Sequence, residues 1–205
     1  MKRRYALIAL PLALLLSGCS EQPKPVEKPK PTAPPEPVSA LSAVYKMYTQ
    51  ARAWAPDCRL LRVGALDLKE VPSQGGKAGA WEATFVSESA RQSRRYTYSV
   101  VESTASNLRE GVVGGPGDSW SPGGPVSPFP IQALKVDSPA ALETAMKKGA
   151  DYAQKHPELP IRFLLEQTTR FPGPAWRVIW GESVSRSSFS IFVNATTGEY
   201  LQTAH

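Results

Sequence analysis

The sequence predicts an α+β fold made of two α-β-β-β units in tandem, each a helix packed on an antiparallel sheet. Three observations predict it. Segments rich in aromatic and β-branched residues alternate apolar with polar at period two, as half-buried strands do. These segments occur twice, Ala80-Trp81 returning as Ala175-Trp176 ninety-five residues on. Each set follows a run of apolar residues at helical spacing that ends in proline.

The first unit spans residues 38–110. Leu41, Val44, Tyr48, Ala51 and Ala55 fall on one helical stripe, Ser39 can cap its start and Pro56 stops it. A short strand over residues 59–66 follows. Trp81, Ala83 and Phe85 then share one strand face, and Tyr96, Tyr98 and Val100 share a face of the next. Residues 111–130 hold six glycines and five prolines, which keeps them out of helix and sheet interior; they read as a linker, or as a functional loop presenting Trp120 and Phe129.

The second unit, residues 131–205, repeats the order. Leu142, Ala145, Met146, Gly149 and Ala153 form its helical stripe, with Ser138 as N-cap, Pro139 at the first helical position and His156-Pro157 at the end. A strand over residues 161–168 follows. Trp176, Val178 and Trp180 then occupy one face, answered by Phe189, Ile191 and Val193 on the next strand. Each unit has about 70 residues, a size at which one core alone is marginal. Joining the two into one sheet would enlarge the core and cover strand edges.

The front of the chain is a segment of another kind. Lys2, Arg3 and Arg4 precede an apolar run from Tyr5 to Leu16 that is too short to span a bilayer, and small residues lead to Cys19. Residues 1–18 therefore read as a secretory signal. The whole chain has 24 Lys+Arg against 18 Asp+Glu, but without the signal's three cations the net charge is +3 rather than +6. That balance weakens any nucleic-acid reading, and no second long apolar run suggests a multi-span membrane protein.

Leu16-Ser17-Gly18-Cys19 resembles the lipobox of bacterial lipoproteins. The resemblance implies cleavage before Cys19 and acylation of its sulfur by chains such as palmitate, each buried CH₂ contributing ~0.8 kcal/mol to membrane anchoring. Ser20 where Asp would favour inner-membrane retention implies the outer membrane, with the protein facing the periplasm. Residues 19–37 are then the lipidated cysteine followed by an eighteen-residue tether, residues 20–37. Seven prolines favour polyproline II, Lys24, Lys28 and Lys30 balance Glu21, Glu27 and Glu36, and the full extension at ~3.1 Å per residue is roughly 55 Å.

The second unit carries a further resemblance. Ala175-Trp176-Arg177-Val178-Ile179-Trp180, then residues 189–201 with Asn194 and the turn Thr196-Thr197-Gly198-Glu199 before Tyr200-Leu201, resemble the PepSY domain. Gly198 supplies the positive φ such a turn needs. The resemblance implies a small α+β module, PepSY-like or cystatin-like in layout, whose proposed role is peptidase inhibition or peptide binding. The first unit lacks the turn glycine, having Val101-Glu102-Ser103-Thr104-Ala105 there, and enters only through the repeat.

The candidate binding residues are basic and aromatic. Arg91, Arg94 and Arg95 cluster at the first hairpin tip and Arg186 stands at the matching tip of the second unit, either as solvated turns or as a docking site for an acidic partner. Trp120 is the aromatic candidate. Trp81, Phe85, Trp176 and Trp180 read as core, with an aromatic groove helped by Tyr45 and Trp54 as the alternative. Gly181-Glu182-Ser183-Val184-Ser185 begins like a nucleophile elbow, but it lies between two strands and lacks the final glycine, so it reads as a turn. Two histidines and one non-lipid cysteine, Cys58, give no metal-ligand spacing. No cofactor, metal or catalytic residue is expected. The expected function is non-catalytic binding of an envelope protein or peptide by a membrane-anchored body; the alternative is a structural or assembly role without a ligand pocket.

Overall fold

The computed structural model describes residues 34–205; the signal, Cys19 and most of the tether lie outside the described residues. In chain order the elements are α1 (Ala40–Trp54), β1 (Arg59–Leu66), β2 (Ala80–Ser87), β3 (Gln92–Ser99), β4 (Gly111–Ser119), β5 (Val126–Ser127), α2 (Ser138–Lys155), β6 (Ile161–Thr168), β7 (Ala175–Gly181), β8 (Ser187–Asn194) and β9 (Tyr200–Ala204). Two helices thus accompany one nine-stranded antiparallel sheet in the order β4-β3-β2-β1-β6-β7-β8-β9, with β5 beside β6. The fold is mixed α+β.

Period-two patterning explains the central strands. Trp81, Ala83 and Phe85 of β2 and Trp176, Val178 and Trp180 of β7 point to the helix-covered face and are buried. Strand β1 meets β6 through Arg62↔Glu166, Val63↔Leu165 and Gly64↔Leu164. The Phe163 ring stands 6.3 Å from both Trp81 and Trp176, so one aromatic row crosses the junction between the two halves. Each tryptophan also needs an acceptor for its buried N–H. Trp81 Nε1 donates to the Val38 carbonyl at 2.9 Å and Trp176 Nε1 donates to the Val136 carbonyl at 2.8 Å.

The helix starts differ from the expected caps. Ser39 occupies the N-cap position of α1 but its side chain makes no capping bond. Instead the Ala40 amide donates to Ser138 Oγ and the Leu41 amide donates to Asp137 Oδ1, each at 2.9 Å. The N-cap of α2 is Asp137, whose carboxylate also accepts from the Ser138 amide at 2.7 Å, and Ser138 is the first helical residue. Ser138 therefore serves the other helix. The buried stripes are also rotated from those expected. Ala40, Ala43, Val44, Met47 and Ala51 face the sheet in α1, and Ser138, Ala141, Ala145 and Gly149 do so in α2, while Met146 is exposed. Small residues take the line of closest approach, and the larger apolar side chains flank it.

The segment at 111–130 is not a linker. Residues 111–119 are the edge strand β4, paired along its length with β3. An edge strand needs partners on one side only, so Pro116 is tolerated there, and the ladder shifts register between Arg94 and Tyr96. Gly114 is required because the Tyr96 ring lies over it; a Cβ would stand 2.9 Å from that ring. The chain then returns to the sheet centre. Phe129, buried, exchanges both backbone hydrogen bonds with Leu60 at 3.0 and 2.8 Å, and β5 continues alongside β6 where β1 ends its pairing. Residues 111–119 are accordingly part of the sheet. At the other turn, Gly198 has φ 80°, as its place in the sequence requires.

Because Asp137 caps two helices, Asp137→Ala is expected to lower unfolding free energy by about 2 kcal/mol, near the upper end for a cap. Ser39→Ala should change it by less than about 0.5 kcal/mol. Urea denaturation of both variants checks the pair; a larger loss at Ser39 would remove the shared cap from the account.

Candidate binding surface

Both helices lie on one face of the sheet, and among the described residues no helix covers the other. That open face is built by the alternate residues: Arg62 and Gly64 of β1, Glu82 and Thr84 of β2, Arg95 and Thr97 of β3, Leu164 and Glu166 of β6, Arg177 of β7 and Phe192 of β8. Three ion pairs at least partly tie its charges, Arg62–Glu166 at 2.9 Å across the β1–β6 junction, Arg95–Glu82 at 3.6 Å, and Arg162 with Asp67. Burial lowers the Arg162 pKa from its ordinary value.

The arginine cluster expected at the first tip is divided by the strand. Only Arg91 lies in the turn itself, at a positive φ of 51°. Arg94 and Arg95 are already in β3, where neighbours point to opposite faces. Arg94 goes to the helix face, its guanidinium carbon 5.3 Å from the Trp54 ring centroid and its Nε buried without a hydrogen-bond partner. It belongs to the packing beneath α1 and is not a free docking group. Arg95 reaches the open face. Trp120 follows β4, half-buried, and its amide donates to the Arg91 carbonyl at 2.9 Å, so these two are brought together. Arg186 is brought to neither. Antiparallel pairing from β2 through β1 and β6 to β7 places the β7–β8 tip at the opposite end of the sheet, where Arg186 is paired with Glu182 at 2.9 Å.

Next to Arg95 the open face has a groove. A cavity of about 230 Å³ is lined by Arg95, Thr97, Val113, Gly115, Pro116 and Asp118. Gly115 and Pro116 leave its floor shallow, Val113 gives an apolar wall, and Arg95 with Asp118 gives two opposite charges. This can hold a short stretch of extended chain. The aromatic groove on the helix face does not form: Trp81, Phe85, Trp176 and Trp180 are packed core. Tyr45 is 48% exposed on the outside of α1, and Trp54 is covered by Arg94.

Polar residues near the first tip hold it in place. The Asp57 carboxylate accepts from the Ser89 amide at 3.0 Å and from Ser87 Oγ at 2.7 Å. These bonds, the Ser89 amide first, keep its pKa below the ordinary carboxylate value. Cys58, next in sequence, is buried and burial raises its thiol pKa. At the second tip Ser183 Oγ accepts from the Arg186 amide at 3.2 Å, capping the 3₁₀ turn Val184–Arg186. The two histidines are elsewhere, His156 against Tyr152 and His205 against Phe189. Among the described residues no group of His, Cys, Asp or Glu has metal-binding geometry, and no helix is long and apolar enough to cross a membrane.

Sequence reasoning missed the open-face ring of Phe192 and the arginines beside it. The signal was present: Phe192 falls on the polar phase of β8, between Ser190 and Asn194.

No family model matches the chain, and no curated protein matches it. A solved crystal structure, that of a "putative lipoprotein" from Clostridium difficile 630, is similar at 8% identity, covering 79% of this chain and 91% of that one with a TM-score of 0.47. The likeness is too distant to bear on function.

Two predictions follow from the polar groups. Tyr96 Oη is buried without a partner, so Tyr96→Phe removes an unsatisfied group and is expected to leave stability unchanged or raise it by about 1 kcal/mol, as thermal unfolding would show. A depressed Asp57 pKa means that its support is complete above the ordinary carboxylate value and is lost as pH falls through the folded one. The protection factor of the Ser89 amide should drop across that acid step, and Asp57→Asn should abolish the step.

Proposed function

We propose that this protein is lipid-anchored at Cys19 in the bacterial envelope, on the outer membrane, and that its body binds another protein or peptide without catalysis. The body is read as two copies of one PepSY-like unit, enlarged by the edge strands to α-β-β-β-β. One observation carries the binding reading: at the edge of the uncovered sheet face Arg95 lines a groove between β3 and β4, and the turn residue Arg91, joined to Trp120 by a backbone hydrogen bond, stands at the end of the same two strands. An extended segment set against a sheet edge gains main-chain hydrogen bonds, and neighbouring side chains select it. The Gly- and Pro-rich β4 leaves room for such a segment. The sequence motif Leu16-Ser17-Gly18-Cys19 supports the anchor, and the tether would hold the body away from the lipid.

A structural or assembly role is the second reading, favoured by the complete burial of the aromatic set. The two readings separate in one experiment. Chemical crosslinking in intact envelopes, followed by capture of the full chain, should recover a defined partner. Its yield should fall at least fivefold in Arg91→Glu with Arg95→Glu and stay level in Arg186→Glu. An undiminished yield in the double variant removes the β3–β4 groove from the function; labelled palmitate on the wild type but not on Cys19→Ser tests the anchor separately.

A further inference from the structure

On the open face at the far side of the sheet, two arginines share one aromatic ring. Arg177 of β7 sits directly across from Phe192 of β8, its guanidinium carbon 5.6 Å from the ring centroid. Arg170, in the connection between β6 and β7, places its own at 4.5 Å from the same centroid and 5.7 Å from that of Phe171. Phe171 and Phe192 are 5.2 Å apart. Two like charges so placed repel, and the charge of Arg170 adds to burial in lowering the Arg177 pKa.

Carboxylates offset the repulsion only in part, through the charge of Glu166 acting on Arg177. Among the described residues no ion pair includes Arg170 or Arg177, and the nearby Glu166 is paired with Arg62. Neutral groups hold both forks instead. Arg177 donates from Nε to Ser190 Oγ at 3.0 Å and from Nη2 to Ser187 Oγ at 3.2 Å, and Arg170 donates from Nε to Gln202 Oε1 at 2.9 Å. Each guanidinium is therefore oriented but not neutralised, with N–H groups left over. The other half of the sheet shows the contrast. Ladders β2–β3 and β7–β8 run at the same offset of ninety-five residues, Ala80↔Ser99 against Ala175↔Asn194. At that offset Glu82 stands where Arg177 does and Arg95 where Ser190 does, and those two form an ion pair. At these positions the β2–β3 ladder pairs its charges, whereas beside the β7–β8 ladder two cations are left without an ion-pair partner.

We propose that Arg170 and Arg177, over the Phe192 ring, form a binding site for the carboxylate of an acidic peptide. A guanidinium fork matches a carboxylate in two parallel hydrogen bonds, and a bound anion relieves the repulsion of both arginines at once. Phe171 offers an apolar wall for the carbon chain bearing the carboxylate. A membrane surface fits less well, because Phe192 is 9% exposed beneath the arginines and offers nothing to insert. The choice of a peptide as carrier rests on the binding function proposed above; the site itself is separate from the β3–β4 groove.

The test uses the purified full chain and two fluorescein-labelled peptides, hexaglutamate and hexaglutamine, followed by fluorescence anisotropy at low salt. Hexaglutamate is expected to bind and hexaglutamine is not. Arg170→Gln should weaken binding about tenfold and Arg170→Glu should abolish it, whereas the charge-matched Arg109→Glu should change it less than twofold. Arg177 is half-buried, so it is tested without substitution: hexaglutamate should protect both arginines from phenylglyoxal, mapped by mass spectrometry. Equal binding of the two peptides, full affinity in Arg170→Glu, or modification unaffected by the peptide would overturn the proposal. Displacement of hexaglutamate by phosphatidylglycerol vesicles that also need Arg170 would overturn the peptide assignment in favour of lipid. Loss of the crosslinked partner in the groove variant bears only on the groove.

Discussion

Both helices begin at the same place, where the Asp137 carboxylate accepts hydrogen bonds from the amides of Ser138 and Leu41 and the Ser138 hydroxyl oxygen accepts one from that of Ala40. A helix start carries about half a positive charge and several amides without intrahelical acceptors. Two such starts side by side repel, and each would need its own cap; one anion between them answers both needs. Much of the arrangement hangs on this point. The carbonyls of Val38 and Val136, just upstream of the two starts, are the acceptors for the buried indoles of Trp81 and Trp176. The caps thus fix the helix ends, the helix ends fix the tryptophans, and the tryptophans with Phe163 between them carry packing across the centre of the sheet. The strand junction itself is short, three residue pairs between β1 and β6. Helix-side packing has to reinforce it.

The central strands were legible because their two faces differ so strongly. Trp81, Ala83 and Phe85 could face only a core, and residues 59–66 and 161–168 are strands with the bounds that their sequence suggests. Where the pattern relied on side-chain size it misled. Large residues mark a stripe in sequence, yet a helix lying close to a sheet puts alanine, serine and glycine on the contact line, as α2 does with Ser138, Ala141, Ala145 and Gly149. Strand β4 was illegible for a related reason. Its pairing comes from the backbone and from the Tyr96 ring lying on Gly114, so its own side chains carry almost no pattern. Capping by a residue ninety-eight positions away leaves no local trace either.

The candidate site was legible in composition but not in placement. Three arginines within five residues read as one cluster, but the strand begins at Gln92, and alternation sends Arg94 and Arg95 to opposite faces. The ladder offset makes the point sharper: Arg94 stands at the position held by Phe189 in the other half, a helix-facing core position. Its stacking on Trp54 is how a charged residue occupies such a place, with the stem buried and the guanidinium plane against a ring. Arg186 is separated from the rest by topology. Because β1 and β6 pair antiparallel, the β2–β3 and β7–β8 tips come out at opposite ends of the sheet, so no single compact surface can use both.

What the join does bring into line is a rung of the sheet. Register pairs run without a break from Val113 to Thr97, Glu82, Gly64, Leu164, Arg177, Phe192 and Gln202, all on the uncovered face. The groove at β4 and the arginine pair over Phe192 are thus the two ends of one line, six strand spacings apart, or about 29 Å at ~4.8 Å each. Gly64 and Leu164 leave the middle of that line without charge. Chain in extended form rises ~3.4 Å per residue, so a segment of about nine residues laid across the strands reaches from the groove to the arginines. The two proposed sites are independent, since each has its own chemistry. In the proposed binding function, a partner whose edge-paired segment turns and continues for about nine extended residues to a carboxylate would reach both sites, and linking two weak contacts on one chain raises affinity far beyond either alone when the spacing fits.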